Sequence, residues 1–294
     1  MEGLIIRSLG GFYTVRHEDG TLTECRGRGI FRKDATILLV GDRCTIEPTE
    51  PGCGSITAIA PRRNFLLRPP LANLDRMALV VSLAEPAPNA LVLDQMTAIA
   101  ARRGIPVVLI FTKPDLADPA PWVEIYRKAG YPTAVVNNLT GEGREQAAAL
   151  LQGGITAFCG NSGAGKSSLM NTLYPHLQLA TAPISQKLGR GRHTTRHVEL
   201  YENGEGGFLA DTPGFSALQL SESERMLAED LAACFPEFAE HMPSCRFTGC
   251  SHRTEQGCAV LEAVKAGEIP PSRHHSYTMI YETLKDIKEW ELNK

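Results

Sequence analysis

Eight consecutive residues limit the architecture of this chain more than any other feature. Gly160 to Ser167 reads GNSGAGKS, a full match to G-x-x-x-x-G-K-[ST]. It follows the β-prone run ITAFC and opens a helix-prone run, AGKSSLMNTLY. A glycine-rich turn between a strand and a helix aims backbone N–H groups inward. The helix N-terminus adds positive potential, and the two together cradle phosphate. In such a cradle Lys166 places its charge on the β- and γ-phosphates and Ser167 ligates Mg²⁺. The nucleotide contacts expected here are Gly160, Asn161, Ser162, Gly163, Ala164, Gly165, Lys166, Ser167 and Ser168. A chance glycine-rich turn would not come with both flanking elements.

The surrounding pattern agrees. From about Arg76 strands and helices alternate: MALVVSLA, ALVLDQMTAIAARR, IPVVLIF, PAPWVEIYRKAG, PTAVVNN, GEGREQAAALLQ, ITAFC. This rhythm predicts a parallel sheet with helices on both faces. Before it lie short β-prone runs separated by Gly, Asp, Glu and Pro, which predict a small barrel of the OB type. RNFLLRPPLANLD between the two reads as a linker. After Ser221 the pattern turns helical, with SESERMLAEDLAACF opening on Ser221 and Glu224 spaced as a capping box. A charged helix, RHHSYTMIYETLKDIKEWELNK, ends the chain. The expected organisation is a multidomain chain: an all-β barrel over 1–66, an α/β P-loop domain over 67–220 and a mostly α metal-binding domain over 221–294.

A phosphate cradle does not choose a base. TKPD does: Thr112, Lys113, Pro114 and Asp115 directly follow the strand IPVVLIF. The Asp115 carboxylate can accept from both guanine N1–H and the exocyclic amine, a donor pair adenine lacks. The aliphatic stem of Lys113 can cover the base. DTPG, Asp211 to Gly214, ends another strand about forty-five residues past Lys166. There Asp211 reaches the Mg²⁺ shell and the Gly214 N–H senses the γ-phosphate. TKPD precedes the phosphate loop, whereas in ordinary small GTPases it follows. The same sheet closes in either order if the termini have been moved, so the domain reads as circularly permuted.

Three of eight cysteines crowd together late in the chain: Cys245, Cys250 and Cys258, with His252 between them. Three thiolates and one imidazole form a closed tetrahedral set, typical of structural zinc and not of a catalytic metal. His241, His274 and His275 are nearby alternatives. The chain is neither short nor led by a secretory signal, so a disulfide framework is not expected. No run approaches the roughly 18 apolar residues of a membrane span.

A formal net charge of −3 gives no global case for nucleic acid, so any contact must be local. CRGRGIFRK sets Arg26, Arg28, Arg32 and Lys33 around Phe31, which suits phosphate contact plus base stacking. Residues 174 to 197 hold Lys187, Arg190, Arg192 and Arg196 and no acidic residue. Arg273, His274 and His275 make a weaker third patch. The bland alternative for each is a solvated basic face.

Taken in one order, CRGRGIFRK, LLRPP, TKPD, GNSGAGKSS, GRGRHTTRH, ADTPGF and C-x4-C-x-H-x5-C span nearly the whole chain. Together they resemble the circularly permuted, small-ribosomal-subunit-dependent GTPases, the RsgA family. The resemblance implies an OB-fold, a permuted GTPase domain and a zinc-containing domain. It implies GTP or GDP, Mg²⁺ and one structural Zn²⁺, and a role in late assembly of the small ribosomal subunit. By the same resemblance GRGRHTT carries switch I, where Thr194 or Thr195 ligates Mg²⁺ and Thr195 is favoured. Thr112 stands where asparagine is commoner. VVNN stands where a Ser-Ala pair is commoner, which sets Asn137 and Asn138 near the guanine.

Many GTPases orient the attacking water with a glutamine just after D-x-x-G. Here Phe215 occupies that position. Slow hydrolysis alone, completed by docking on the subunit, is therefore expected. His193 either positions that water or contacts phosphate or RNA. The implied partner is the small subunit and its rRNA, met by a cytoplasmic monomer. A GTP-gated RNA-binding module with incidental hydrolysis is the second reading. A P-loop kinase or ATPase with a zinc knob is the third, opposed by TKPD.

Overall fold

The computed structural model describes residues 1–33, 36–67, 69–179, 198–204, 206–211 and 226–291. Its first five strands are β1 (Glu2–Leu9), β2 (Phe12–Arg16), β3 (Leu22–Gly27), β4 (Arg43–Glu50) and β5 (Cys53–Ile59). They pair in the cyclic order β1-β2-β3-β5-β4 and back to β1, with only β3–β5 parallel. Closure removes both free edges. Each strand sends one residue into the barrel: Ile5, Val15, Cys25, Ile46 and Ile56, all at most 2% exposed. This is the expected OB-like barrel. It is not purely β, because CRGRGIFRK leaves β3 and winds into a short helix, α1 (Gly29–Lys33). Phe31 on that helix packs against the barrel core instead of standing free to stack on a base.

The stretch expected as a linker is a hairpin. β6 (Phe65–Leu67) pairs antiparallel with β7 (Pro70–Ala72), and Leu66, Leu71 and Ala72 are fully buried. Pro70 is the first residue of its strand, where a missing N–H is tolerated. The hairpin spans the expected boundary at residue 66.

The second layer is the sheet that the strand–helix alternation predicts. It is built from β8 (Arg76–Ser82), β9 (Val107–Thr112), β10 (Thr133–Val136), β11 (Gly154–Cys159), β12 (Val198–Glu202) and β13 (Gly207–Asp211). Their order is β10-β9-β8-β11-β13-β12, parallel throughout except for β12. Met77, Leu79 and Val81 of β8 face a core shared with α2 (Ala90–Arg102) and α3 (Ala120–Lys128). The alternate residues, Ala78 and Val80, face α4 (Arg144–Leu150) and α5 (Lys166–Leu173). Burial on both faces is why these strands read as continuous apolar runs. β12 also pairs with β1, matching Arg7 to Glu199 and Ser8 to Val198, so the barrel and the sheet share one hydrogen-bonded surface.

The third core belongs to the C-terminal region, with α6 (Ala259–Ala266) and α7 (Pro271–Leu284). Here two helix expectations are corrected. Residues 226–235 form separate one-turn 3₁₀ segments, Ala228–Asp230 and Ala232–Cys234, not one helix. Phe235 precedes Pro236 and is extended, as that position favours. The proposed cap, Ser221 with Glu224, lies outside the described residues. The last helix stops at Leu284, where the chain turns and brings Ile287 back against the core.

Arg273 of α7 is completely buried, which removes it from any basic surface patch. Its Nε and Nη2 donate to the two Glu237 oxygens at 2.6 and 3.2 Å. Nη1 donates to Asp94 Oδ1 at 2.6 Å and to Thr97 Oγ1 at 3.1 Å, and Nη2 reaches the Tyr131 hydroxyl at 3.5 Å. Burial opposes the charge, but Asp94 and Glu237 outweigh it and hold the guanidinium pKa well above its usual value. Asp94 and Thr97 lie on α2, so this cluster joins the C-terminal region to the P-loop domain.

Candidate nucleotide and metal sites

β11 ends at Cys159, the loop runs from Gly160, and α5 begins at Lys166 with Gly165 as its N-cap. Gly160, Gly163 and Gly165 have φ of +145°, +80° and +87°, conformations that L-residues rarely adopt. A Cβ on Gly160 would lie 2.2 Å from the Val80 carbonyl oxygen, so the loop rests directly on β8. Lys166 Nζ donates to the Gly160 and Asn161 carbonyls at 2.8 and 3.0 Å. Burial lowers its pKa, against the opposing pull of Asp211.

Asp211, the last residue of β13, lies across from the first turn of α5. Ser167 Oγ donates to its Oδ2 at 3.4 Å. Burial raises the Asp211 pKa, while Lys166 and Ser167 act to lower it. A hydroxyl and a carboxylate brought together from two elements are a hard-oxygen donor set, which fits Mg²⁺.

The base-reading turn is bolted to the phosphate loop. Lys113, at φ +61°, donates to the Gly163 carbonyl at 3.0 Å and also to the Glu85 carbonyl. Thr112, fully buried, donates to the Ala164 carbonyl at 2.7 Å. Asn138 Nδ2 donates to the Gly165 carbonyl at 3.3 Å. Three successive loop carbonyls are thus held by side chains from the ends of β9 and β10. Asp115 is exposed and has no protein partner among the described residues. Asn137 behaves differently from its neighbour: its Oδ1 accepts from the Leu139 and Thr140 N–H groups at 2.9 and 3.3 Å, within its own turn. Pro114 and Ser168 sit beside these groups, half-buried, and Ser162 is exposed. His193, Thr194, Thr195, Gly214 and Phe215 lie outside the described residues, as do Lys187, Arg190, Arg192 and Arg196.

The structure brings Cys245, Cys250, His252 and Cys258 together, with all four ligand atoms within 4.8 Å of one another. Cys245 Sγ is 3.9 Å from Cys258 Sγ and 3.6 Å from His252 Nδ1, and His252 Nδ1 is 3.4 Å from Cys258 Sγ. A tetrahedron with Zn–S bonds of about 2.3 Å has S–S edges of about 3.8 Å. The cluster therefore fits a structural zinc site. The loop around His252 is organised by Glu255, a residue the spacing did not single out. It accepts from the Ser251, Arg253 and Thr254 N–H groups at 2.8, 2.9 and 3.1 Å. Burial pushes its pKa up, but the Ser251 hydroxyl and these N–H groups prevail and hold it at about 2. Among the alternatives, His274 Nε2 is 2.7 Å from the His252 carbonyl oxygen, His241 stands 3.7 Å from Glu268, and His275 is exposed.

On the barrel, the exposed aromatic is Phe12, with the Arg26 guanidinium 4.3 Å from its ring centroid. Arg28 pairs with Glu47 at the surface. The sequence pattern pointed to Phe31 because it adjoins the arginines in the chain. Phe12 adjoins Arg26 only through strand pairing.

Residues 59–221 match the family model described as RsgA GTPase, and residues 2–56 match the RsgA N-terminal domain. The chain is 44% identical over 293 residues to a small ribosomal subunit biogenesis GTPase RsgA of Geobacillus sp. (strain WCH70), covering 98% of each. It is 43% identical over 279 residues to the protein of the same name from Moorella thermoacetica, covering 94% of this chain and 95% of that one. Among solved structures, YjeQ from Thermotoga maritima superposes with a TM-score of 0.81 at 31% identity, over 98% of this chain and 99% of that one. YloQ, described as a circularly permuted GTPase, superposes with a TM-score of 0.79 at 32% identity, over 98% and 96%.

Proposed function

Because the chain belongs to the RsgA family of GTPases, we propose that it acts in late maturation of the small (30S) ribosomal subunit, hydrolysing GTP as a timed step. It is a GTP hydrolase. The observation that carries the site assignment is the junction of Thr112, Lys113 and Asn138 with three successive phosphate-loop carbonyls. It makes one site of a base reader and a phosphate cradle that the chain presents in permuted order.

In that site the loop from Gly160 to Ser168 wraps the phosphates, and Asp115 accepts from the guanine edge. Lys166 exchanges its loop carbonyls for β- and γ-phosphate oxygens. Ser167 and Asp211 hold Mg²⁺, joined by Thr195, with Thr194 the alternative. When bound, the ion neutralises charge on the β- and γ-oxygens. The Gly214 N–H senses the γ-phosphate. Phe215 cannot orient water, so the chain alone turns over slowly and His193 positions the nucleophile once the subunit is engaged. Residues 1–66 and the zinc-bearing 221–294 flank the catalytic 67–220 and supply contacts to rRNA.

The protein works as a cytoplasmic monomer, and among the described residues no helix is long and apolar enough to cross a membrane. The reading of His193 is tested by single-turnover hydrolysis with subunits present. His193→Ala should lose most of the stimulation while keeping GTP affinity. Full stimulation in that variant would remove His193 from the mechanism.

A further inference from the structure

Guanine presents two donors, N1–H and the 2-amino group, and one acceptor, the 6-oxo oxygen, along one edge. A carboxylate only accepts. Asp115 can therefore satisfy the two donors, and the 6-oxo oxygen needs a donor from elsewhere in the site.

The side chains at this end of the sheet differ in what they have left to give. The single Thr112 hydroxyl proton goes to Ala164. The Lys113 ammonium is anchored on the Gly163 and Glu85 carbonyls. Asn137 is turned into its own loop. The Asn138 carboxamide has two N–H groups. One goes to the Gly165 carbonyl, and the other has no acceptor among the described residues. The Gly165 bond also fixes the orientation of the amide, because flipping it would set Oδ1 against a carbonyl oxygen. Oδ1 is buried with no partner, so this amide is not arranged for the protein's own hydrogen bonding. It stands on the wall where the base reader meets the cradle. A Cβ on Gly165 would lie 3.0 Å from Asn138 Nδ2 and 3.8 Å from Thr112 Oγ1.

We infer that Asn138 is a base-specificity residue whose remaining N–H donates to the 6-oxo oxygen of bound guanine. Asp115 and Asn138 then read complementary parts of one edge, donors by an acceptor and the acceptor by a donor. Adenine carries an amino group at that position, and N–H would face N–H. The inference rests on the GTP-site reading above and adds a second discriminator to it.

The test is equilibrium binding of GTP, 6-thio-GTP and ITP to the full-length, zinc-loaded protein with Mg²⁺. 6-Thio-GTP keeps N1–H and the 2-amino group but replaces the 6-oxo oxygen by a weak acceptor. ITP keeps the 6-oxo oxygen and lacks the 2-amino group. The wild type should favour GTP over 6-thio-GTP by about five- to tenfold, the worth of one hydrogen bond. In Asn138→Ala that ratio should fall close to one, while the GTP-to-ITP ratio stays at its wild-type value. Asn138→Asp keeps the side-chain shape and loses the donor, so it should behave the same way if the alanine variant folds poorly. An unchanged GTP-to-6-thio-GTP ratio in both variants overturns the inference, and so does a wild type indifferent to the sulfur. A wild type that does not prefer GTP over ITP or ATP overturns the GTP site itself, a different outcome.

Discussion

Replacing Arg273 by methionine should be among the most damaging single changes in this protein, although no part of the side chain meets solvent. All five guanidinium N–H groups have partners, drawn from Asp94, Thr97, Tyr131 and Glu237. The ring of Phe235 lies 4.5 Å from the guanidinium, with Tyr126 and Tyr131 at 5.7 and 5.3 Å. Arg273→Met keeps much of the apolar contact and removes the charge. It strands two carboxylates, since the Asp94 and Glu237 side chains are only 1% and 2% exposed. Asp94 keeps the Tyr126 hydroxyl on Oδ1 and has nothing on Oδ2. Breaking a buried pair from one side costs about 3–5 kcal/mol. The internal control is Arg28→Met, whose pair with Glu47 is 52% and 58% exposed and should contribute no more than about 1 kcal/mol. Denaturant unfolding of the zinc-loaded protein gives both numbers, and hydrogen exchange across α2 and α7 locates the loss. Adding Asp94→Asn to Arg273→Met should recover part of the stability, because one stranded charge disappears. An Arg273→Met cost no larger than that of Arg28→Met would refute the reasoning.

Other consequences are simpler to check. Burial pushes the thiols of Cys25, Cys44 and Cys234 from 9.0 up to about 11, 12 and 11. A raised folded pKa means that their contribution to stability is full below about pH 9 and is lost as pH rises through 11 to 12. Exposed Cys53 should react with a thiol reagent at pH 8 well before them. Gly160→Ala should abolish nucleotide binding, because its Cβ would collide with the Val80 carbonyl oxygen at 2.2 Å. Isothermal titration with GTP reads that directly, and retained affinity would contradict the geometry. Glu255→Gln should weaken zinc retention in a chelator competition at neutral pH, because neutralising the carboxylate weakens its bonds from three N–H groups of the ligand loop.

The nucleotide motifs and the zinc ligands were legible because each is a short run whose chemistry is local. A glycine-rich turn, an aspartate ending a strand and cysteines at close spacing carry their meaning within about a dozen residues. The barrel and the alternating sheet were legible from periodicity. What the sequence hid depends on partners far along the chain. Arg273 reads as part of a basic patch with His274 and His275 until Asp94 and Glu237 are brought to it. Phe31 reads as a stacking aromatic among arginines, yet the helix it lies on turns it to the core. The apolar spacing in 226–235 suits a helix, but packing of Phe235 and Phe238 on Tyr277, at 5.3 and 4.9 Å, prevails over local periodicity. The prolines near residue 70 suggested a linker, although a proline can begin a strand.

The most direct test of the account is turnover of GTP and ATP by the purified, zinc-loaded protein, alone and with small ribosomal subunits. The account predicts slow, GTP-selective hydrolysis by the protein alone and strong stimulation by the subunit, with ATP left unhydrolysed in both conditions. Equal turnover of ATP, or a GTP rate that does not respond to the subunit, would contradict it.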